Sequence, residues 1–263
     1  MDNYIEVNRN AWNRKTTFHI DSEFYDNDAF LKGKNTLKQI ELDMLGDIKS
    51  KSVLHLQCHF GQDSISLARM GAQVTGVDLS DTAIEKAKEF AEMTGADADF
   101  ICCDIYDLPD YLDEKFDIVF TSYGVIGWLP DLEMWAKIVS RYLKPEGRLI
   151  FVEFHPLAWI FDEDFTRIQY SYFNTETIVE EMSGTYADRD ASITYQTVSW
   201  NHSISEILNN LIREGVEIKS FNEYDYSPYN CFKDMVKVEE DVYRIKSVGD
   251  KLPMIFALEG IKK

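Results

Sequence analysis

Between residues 51 and 155 the apolar positions fall into alternating short and long blocks. The short blocks, 52–57, 73–78, 99–103, 116–121 and 148–155, include several that are near-continuously apolar, as strands covered on both faces are. The longer blocks between them have helical spacing. Ala83, Ala87, Phe90 and Ala91 share one face of 80–93, and Leu132, Trp135, Ala136, Val139 and Leu143 share one face of 131–143. The stretch "KPEG", 144–147, reads as the turn into the fifth strand. This alternation predicts an α/β fold with a doubly wound, parallel sheet.

The rhythm breaks at 156–202, where Tyr, Phe, Thr and acidic residues dominate and runs such as "TIVEEMSGTYA" and "SITYQTVSW" predict an inserted, antiparallel cap. Regular order resumes at 203. Ser203 and Glu206 have capping-box spacing, Ile204, Ile207, Leu208, Leu211 and Ile212 form a helix face, and Gly215 can end the helix. "VEIKSFNEYD" and "PMIFALEGI" read as two late strands, making seven. The organisation expected is a helical N-terminal segment over the sheet edge (1–48), a core domain (49–155 and 203–263) and the inserted cap (156–202).

Composition narrows the function. The net charge is −19, from 27 basic and 46 acidic residues, and no Lys/Arg run offsets it. Nucleic-acid partners are therefore disfavoured and a small molecule is favoured. Cys58, Cys102, Cys103 and Cys231 lack C-x-x-C spacing, which fits a reduced, cytoplasmic compartment; the first three read as small core residues. No metal-ligand pattern, signal peptide or membrane-length apolar run is seen, and the expected assembly is a monomer or homodimer.

In open parallel sheets ligands bind at the carboxyl ends of the strands. Here the first strand ends in "QCHFG", the second at Asp78, the third at Asp104 in "CCDIYDLP", the fourth in "TSYG" and the fifth in "EFHP". Asp78 lies 17 positions after Gly61, the reach needed to accept both hydroxyls of a ribose. Asp104, one strand over, can accept from an adenine amine. The first turn has one glycine, Gly61, where a pyrophosphate site carries several. An adenosyl cofactor with an amino-acid tail and a sulfonium cation suits such a turn better than a dinucleotide.

"VLHLQCHFGQDSISLA", "VTGVDLS", "FICCDIYDLP", "FDIVFTSYGVIGWLPDL" and "LKPEGRLIFVEFHP" resemble, in order and spacing, the successive motifs of class I S-adenosylmethionine-dependent methyltransferases. The resemblance implies a Rossmann-like seven-stranded sheet, mostly parallel with an antiparallel last strand, and methyl transfer to a small-molecule acceptor. The family's first motif has an acid followed by Gly-x-Gly-x-Gly; His55, Gln57, His59 and Gly61 stand at those positions. His tolerates positive φ better than most residues, so His59 can fill a glycine position. The cofactor is then expected against Gln57, Cys58, His59 and Gly61 in the turn, and Gln62, Asp63 and Ser64 at the helix start. Asp78, Leu79 and Ser80, then Asp104 and Ile105, and finally Thr121 and Tyr123 complete that set. His59 either touches cofactor or fixes the loop.

For the acceptor, Trp12, Tyr25, Trp128, Tyr172, Tyr195 and Tyr229 are candidates, although the aromatics equally suit packing. His155 and His202 are the candidate bases, with Glu153 weaker, and structural roles remain open for both histidines. The family's Asn/Asp-Pro-Pro-Tyr signature is absent after the fourth strand, which argues against transfer to nucleic-acid bases. The rival readings are a protein that binds or modifies S-adenosylmethionine without transferring its methyl group, and a nicotinamide-dependent oxidoreductase.

Overall fold

A computed structural model describes residues 3–263. Three N-terminal helices, α1 (Tyr4–His19), α2 (Asn27–Leu31) and α3 (Gln39–Leu45), precede the core. The core begins β1 (Ser52–Leu56), α4 (Gln62–Arg69), β2 (Gln73–Asp78), α5 (Asp81–Thr94), β3 (Ala98–Cys102) and β4 (Phe116–Ser122). It continues with α6 (Leu132–Tyr142) and β5 (Leu143–Phe154), then the inserted hairpin β6 (Ile178–Ser183) and β7 (Thr194–Ser199). α7 (Ile204–Arg213), β8 (Val216–Tyr224), a second hairpin of β9 (Met235–Glu239) and β10 (Val242–Ile245), and β11 (Ile255–Lys262) complete the chain.

The main sheet has the order β3-β2-β1-β4-β5-β11-β8. The first five strands are parallel, and β11 runs antiparallel to both β5 and β8. Alternate residues of each strand enter opposite layers. On β1, Leu54 and Leu56 join Trp135, Ile207 and Leu211 from α6 and α7. Val53 faces the other layer, with Leu45 of α3 and Leu67 of α4. This double cover explains why the central strand β1 is buried from Val53 to Leu56. The chain reverses direction in the sheet between β1 and β4, and the carboxyl ends of these central strands open towards α1 and the β6–β7 hairpin.

Three expectations need correction. The stretch 144–147 lies within β5, but its residues bulge out of the ladder: Phe116 pairs with Leu143 while Ile118 pairs with Arg148, and Glu146 has a φ of 61°. α1 does not lie over the sheet edge. Its Arg9 Nε donates to Leu79 O at 3.3 Å, and Asn13 donates to Asp81 at the start of α5, so the helix crosses the strand ends. Cys102 is exposed, unlike the buried Cys58 and Cys103.

Candidate active site

The turn after β1 retains the backbone of a glycine-rich loop with only one of its glycines, Gly61. Gln57, His59 and Gly61 have φ of 56°, 51° and 78°, so each of the three alternating positions is left-handed. Such a conformation is unfavourable for a residue with a Cβ and persists only where the surroundings hold it. Gln57 is held by its Nε2, which donates to Val125 O at 2.9 Å in the loop after β4. His59 is held through its ring, whose Nε2 lies 2.9 Å from His19 Nδ1 on α1. The bare turn has thus become a junction tying together β1, the loop after β4 and α1.

Asp78 ends β2 beside this turn. Its Oδ2 accepts the His59 backbone N–H at 2.8 Å, and its Oδ1 accepts that of Ser80 at 2.9 Å. Each oxygen has a second lone pair, so the carboxylate can still accept from two hydroxyls. Burial pushes its pKa up to about 6, against the lowering effect of those N–H groups. Asp104 follows β3 by two residues; its Oδ1 accepts from Tyr106 N at 2.9 Å, while Oδ2 makes no hydrogen bond among the described residues. His55, at the acidic position of the motif, is neutral instead. Burial lowers its pKa to about 3, and its Nδ1 pairs with Ser64 Oγ at 2.8 Å.

The other residues expected at the cofactor divide in two. Cys58, Ser64, Ile105 and Thr121 are buried at the carboxyl ends of the strands. Gln62 donates to Tyr25 O and Asn27, and Asp63 accepts from Thr36 at 2.6 Å; both anchor the N-terminal segment. Leu79 offers its carbonyl to Arg9, and Ser80 caps α5 through Ala83 N. Tyr123, with a φ of 43°, turns its ring towards Tyr229 at a centroid distance of 5.1 Å.

Five of the six aromatic candidates converge above the turn. Trp12 meets His59 at 5.3 Å and Trp128 at 5.4 Å. Tyr25 contacts His59 and shares a 2.5 Å hydrogen bond with Tyr186. Tyr195 and Tyr229 close the two sides. Tyr172 does not join them; its hydroxyl accepts from Ile204 N at the start of α7.

The two candidate bases are tied into the scaffold. His155 Nε2 pairs with Glu223 at 2.8 Å and its Nδ1 accepts from Leu157 N at 3.1 Å, while burial lowers its pKa. His202 is buried, with Nε2 on Leu129 O at 2.8 Å and Nδ1 3.1 Å from Glu206, an ion-pair distance without hydrogen-bond geometry. Neither ring has a nitrogen directed to a ligand. Glu153 is likewise occupied: its oxygens accept four backbone N–H groups, from Gly124, Val125, Ile126 and Phe154.

Sequence reasoning missed three residues. Lys15, only 5% exposed, places its Nζ 4.3 Å from the ring centre of Trp12, 4.8 Å from Trp128 and 5.0 Å from Tyr195. His19 is buried and leaves its Nε2 without a partner, as His59 leaves its Nδ1. Glu41 is buried beside the Tyr123 hydroxyl, with both oxygens lacking hydrogen bonds, and burial pushes its pKa up to about 7. A signal for the first two existed. Trp12, Lys15 and His19 follow helical spacing, and the buried face of α1 consists of Asn8, Ala11, Lys15, Thr16 and His19. A buried helix face made almost entirely of polar groups marks a site boundary more than a packing surface. Nothing in the sequence around Glu41 distinguishes it from a surface acid.

Residues 54–151 match the model of a family described as "Methyltransferase domain". The chain is 31% identical over 134 residues to a ubiquinone biosynthesis O-methyltransferase of Idiomarina loihiensis, covering 49% of this chain and 55% of that protein. It is 36% identical over 115 residues to the protein of the same name from Coxiella burnetii, covering 44% and 47%. The chain thus spans about half the length of these curated relatives. Among solved structures, an S-adenosylmethionine-dependent methyltransferase from Mesorhizobium loti is similar with a TM-score of 0.58 at 17% identity, over 88% of this chain and all of that one, a likeness of fold.

Proposed function

We propose, from a chain whose residues 54–151 form a methyltransferase domain of the class I, Rossmann-like fold, that it binds S-adenosylmethionine and transfers the methyl group to a small-molecule acceptor. The observation that carries this reading is the Asp78 carboxylate, held beside the left-handed turn at 57–61 with acceptor capacity to spare. In this reading Asp78 takes the ribose hydroxyls and Asp104 takes the adenine amine. The aromatic rings of Trp12 and Trp128 tolerate the sulfonium, since a cation is attracted to a ring face. When bound, the cofactor supplies an electrophilic methyl group; the protein positions the acceptor in line with it and excludes water. The names of the two curated relatives make a hydroxyl the first acceptor to test.

The side chains at 57 and 59 argue against a dinucleotide. A pyrophosphate needs close approach to bare backbone, and Gln57 and His59 fill that ground. No cluster of three or more His, Cys, Asp or Glu is placed to hold a metal among the described residues. No helix among them is long and apolar enough to cross a membrane. The inserted hairpin is assigned the acceptor side, because Tyr195 on β7 packs around the same Lys15 Nζ as Trp128.

Calorimetry with S-adenosylmethionine and S-adenosylhomocysteine tests the reading, followed by a screen of metabolite extracts for a labelled methyl product. Binding without any labelled product would favour the second reading, a cofactor-binding protein that does not transfer; the substituted glycine positions of the turn support it. Asp78→Ala should weaken both ligands by roughly 10- to 100-fold, since hydrogen bonds to a charged acceptor are worth about 1.5–3 kcal/mol each. The wild-type affinity should also fall as pH drops below about 6, where Asp78 takes up its proton. Unchanged affinity in a folded Asp78→Ala protein removes Asp78 from the site.

A further inference from the structure

We propose that the Lys15 amine is the proton acceptor of the transfer, and that it shares one aromatic cage with the reacting sulfonium. The proposal rests on the methyltransferase reading above. Lys15 reaches in from α1 to a point bounded by Trp12, by Trp128 from the loop after β4, and by Tyr195 from β7. These elements border the carboxyl ends of β1 and β4, where the methyl group and the acceptor must meet. The side chain is buried, yet no carboxylate pairs with it among the described residues.

The ionisable groups around Lys15 are His19 on its own helix, His59 in the turn and Tyr195 on β7. None of them balances an ammonium. Both histidines are neutral, with pKa values lowered to about 2 and about 3 by burial and by neighbouring positive charge. The Tyr195 hydroxyl donates to Gly184 O at 2.9 Å, and burial pushes its pKa up to about 12. Burial alone lowers the pKa of Lys15 to about 7. The ring faces are all that favours its charged form, and a second cation in the same cage removes that advantage. A bound sulfonium therefore selects the neutral amine, which is the form able to accept a proton.

The charges balance through the step. As the acceptor's oxygen or nitrogen bonds to the methyl carbon, the sulfur–carbon bond breaks and its electron pair stays on sulfur as a neutral thioether. The acceptor's proton passes to Lys15 Nζ, which becomes ammonium. The cage holds one positive charge before and after, moved from sulfur to nitrogen. This arrangement also gives the reason that neither His155 nor His202 is needed as a base.

The test compares two ligands that differ by the charged methyl group. Calorimetry of the full chain from pH 6 to pH 9 should show S-adenosylmethionine tightening with pH relative to S-adenosylhomocysteine, by roughly up to tenfold per unit below the Lys15 pKa. Asp78 and the amino-acid tail are common to both ligands, so the difference isolates the sulfur charge. In Lys15→Met the difference should vanish, and turnover should fall on the order of 100- to 10,000-fold, the usual contribution of a general base. Lys15→Arg, fixed in the charged form, should weaken S-adenosylmethionine at every pH and leave S-adenosylhomocysteine within about twofold. Parallel pH profiles for the two ligands in the wild type would overturn the role of Lys15 and leave the methyltransferase reading standing. Failure of both ligands to bind at any pH would remove that reading and the proposal together.

Discussion

Glu153→Ala is expected to lower stability by about 3–5 kcal/mol and to abolish cofactor binding in whatever protein remains folded. Glu153 is 1% exposed on β5, yet it carries a carboxylate, and burial raises its pKa. The penalty is offset by four backbone donors. Val125 N and Ile126 N reach one oxygen at 2.8 and 3.2 Å, while Gly124 N and Phe154 N, the latter at 2.6 Å, reach the other. Three of the four belong to the loop after β4, which leaves the sheet and has no ladder partner there. Alanine strands these N–H groups and frees the loop that anchors Gln57 and carries Trp128. A chain of this size should lose on the order of 10 °C in melting temperature. Glu153→Gln keeps one oxygen and should lose less. Thermal and urea denaturation of the two variants measures this; an alanine variant within about 1 kcal/mol of wild type would show that the loop holds itself.

Gly61→Ala is expected to cost about 3 kcal/mol, for two separable reasons. Gly61 has a φ of 78°, a left-handed conformation that costs an alanine roughly 1–2 kcal/mol. Its position is also crowded: a Cβ there would stand 2.7 Å from Phe100 Cζ and 2.9 Å from Ala87 Cβ. Overpacking of this kind costs roughly another 1–3 kcal/mol. Gly76 on β2 meets the same ring, so Phe100 fits only because both neighbours lack side chains. Phe100→Leu in the Gly61→Ala background should recover the part of the steric cost that the ring imposes and leave the Ala87 contact and the backbone part. Denaturant midpoints of the single and double variants give the coupling. Strictly additive losses would mean that the ring does not set the requirement for glycine.

Those two residues also mark where sequence reading succeeded and failed. The placement of Gly61, Asp78 and Asp104 at or past the carboxyl ends of strands was legible because the apolar blocks locate the strands. Asp78 is the last residue of β2, Asp104 follows β3 by two residues and Gly61 follows β1 by five, so all three lie at the carboxyl edge of the sheet. The role of Glu153 was not legible, since three of its four donors lie 27 to 29 positions earlier and all contribute backbone, which has no sequence signature. The β9–β10 hairpin escaped for a different reason: four of the five β9 residues are exposed, so it has no buried face to impose alternation. His59 was readable as a stand-in for glycine, but that Gln57 also takes a left-handed φ follows only from its bond to Val125. Lys15 was hidden by habit as much as by physics. A lysine on an N-terminal helix ordinarily faces water, and only the spacing with Trp12 and His19 says otherwise.

The polar underside of α1 governs how readily the helix lifts from the ring cluster above the turn. The fully buried residues of α1 are Asn8, Ala11, Lys15, Thr16 and His19, so the helix docks through the half-buried rings of Tyr4, Trp12 and Phe18 and through specific bonds rather than a continuous apolar face. Specific bonds hold it, such as the paired contacts of Asn8 with Val198 at 2.8 and 2.9 Å. α6, by contrast, buries Leu132, Trp135, Ile138 and Val139. Local opening therefore starts at α1, and its amides should exchange with deuterated solvent well before those of α6. S-adenosylhomocysteine, by bridging turn and helix, should slow that exchange on α1 and leave α6 unchanged. Equal protection of the two helices in the free protein would mean that ligand enters by another route. Residence time should then follow the helix: a bound molecule is expected to leave no faster than α1 lifts.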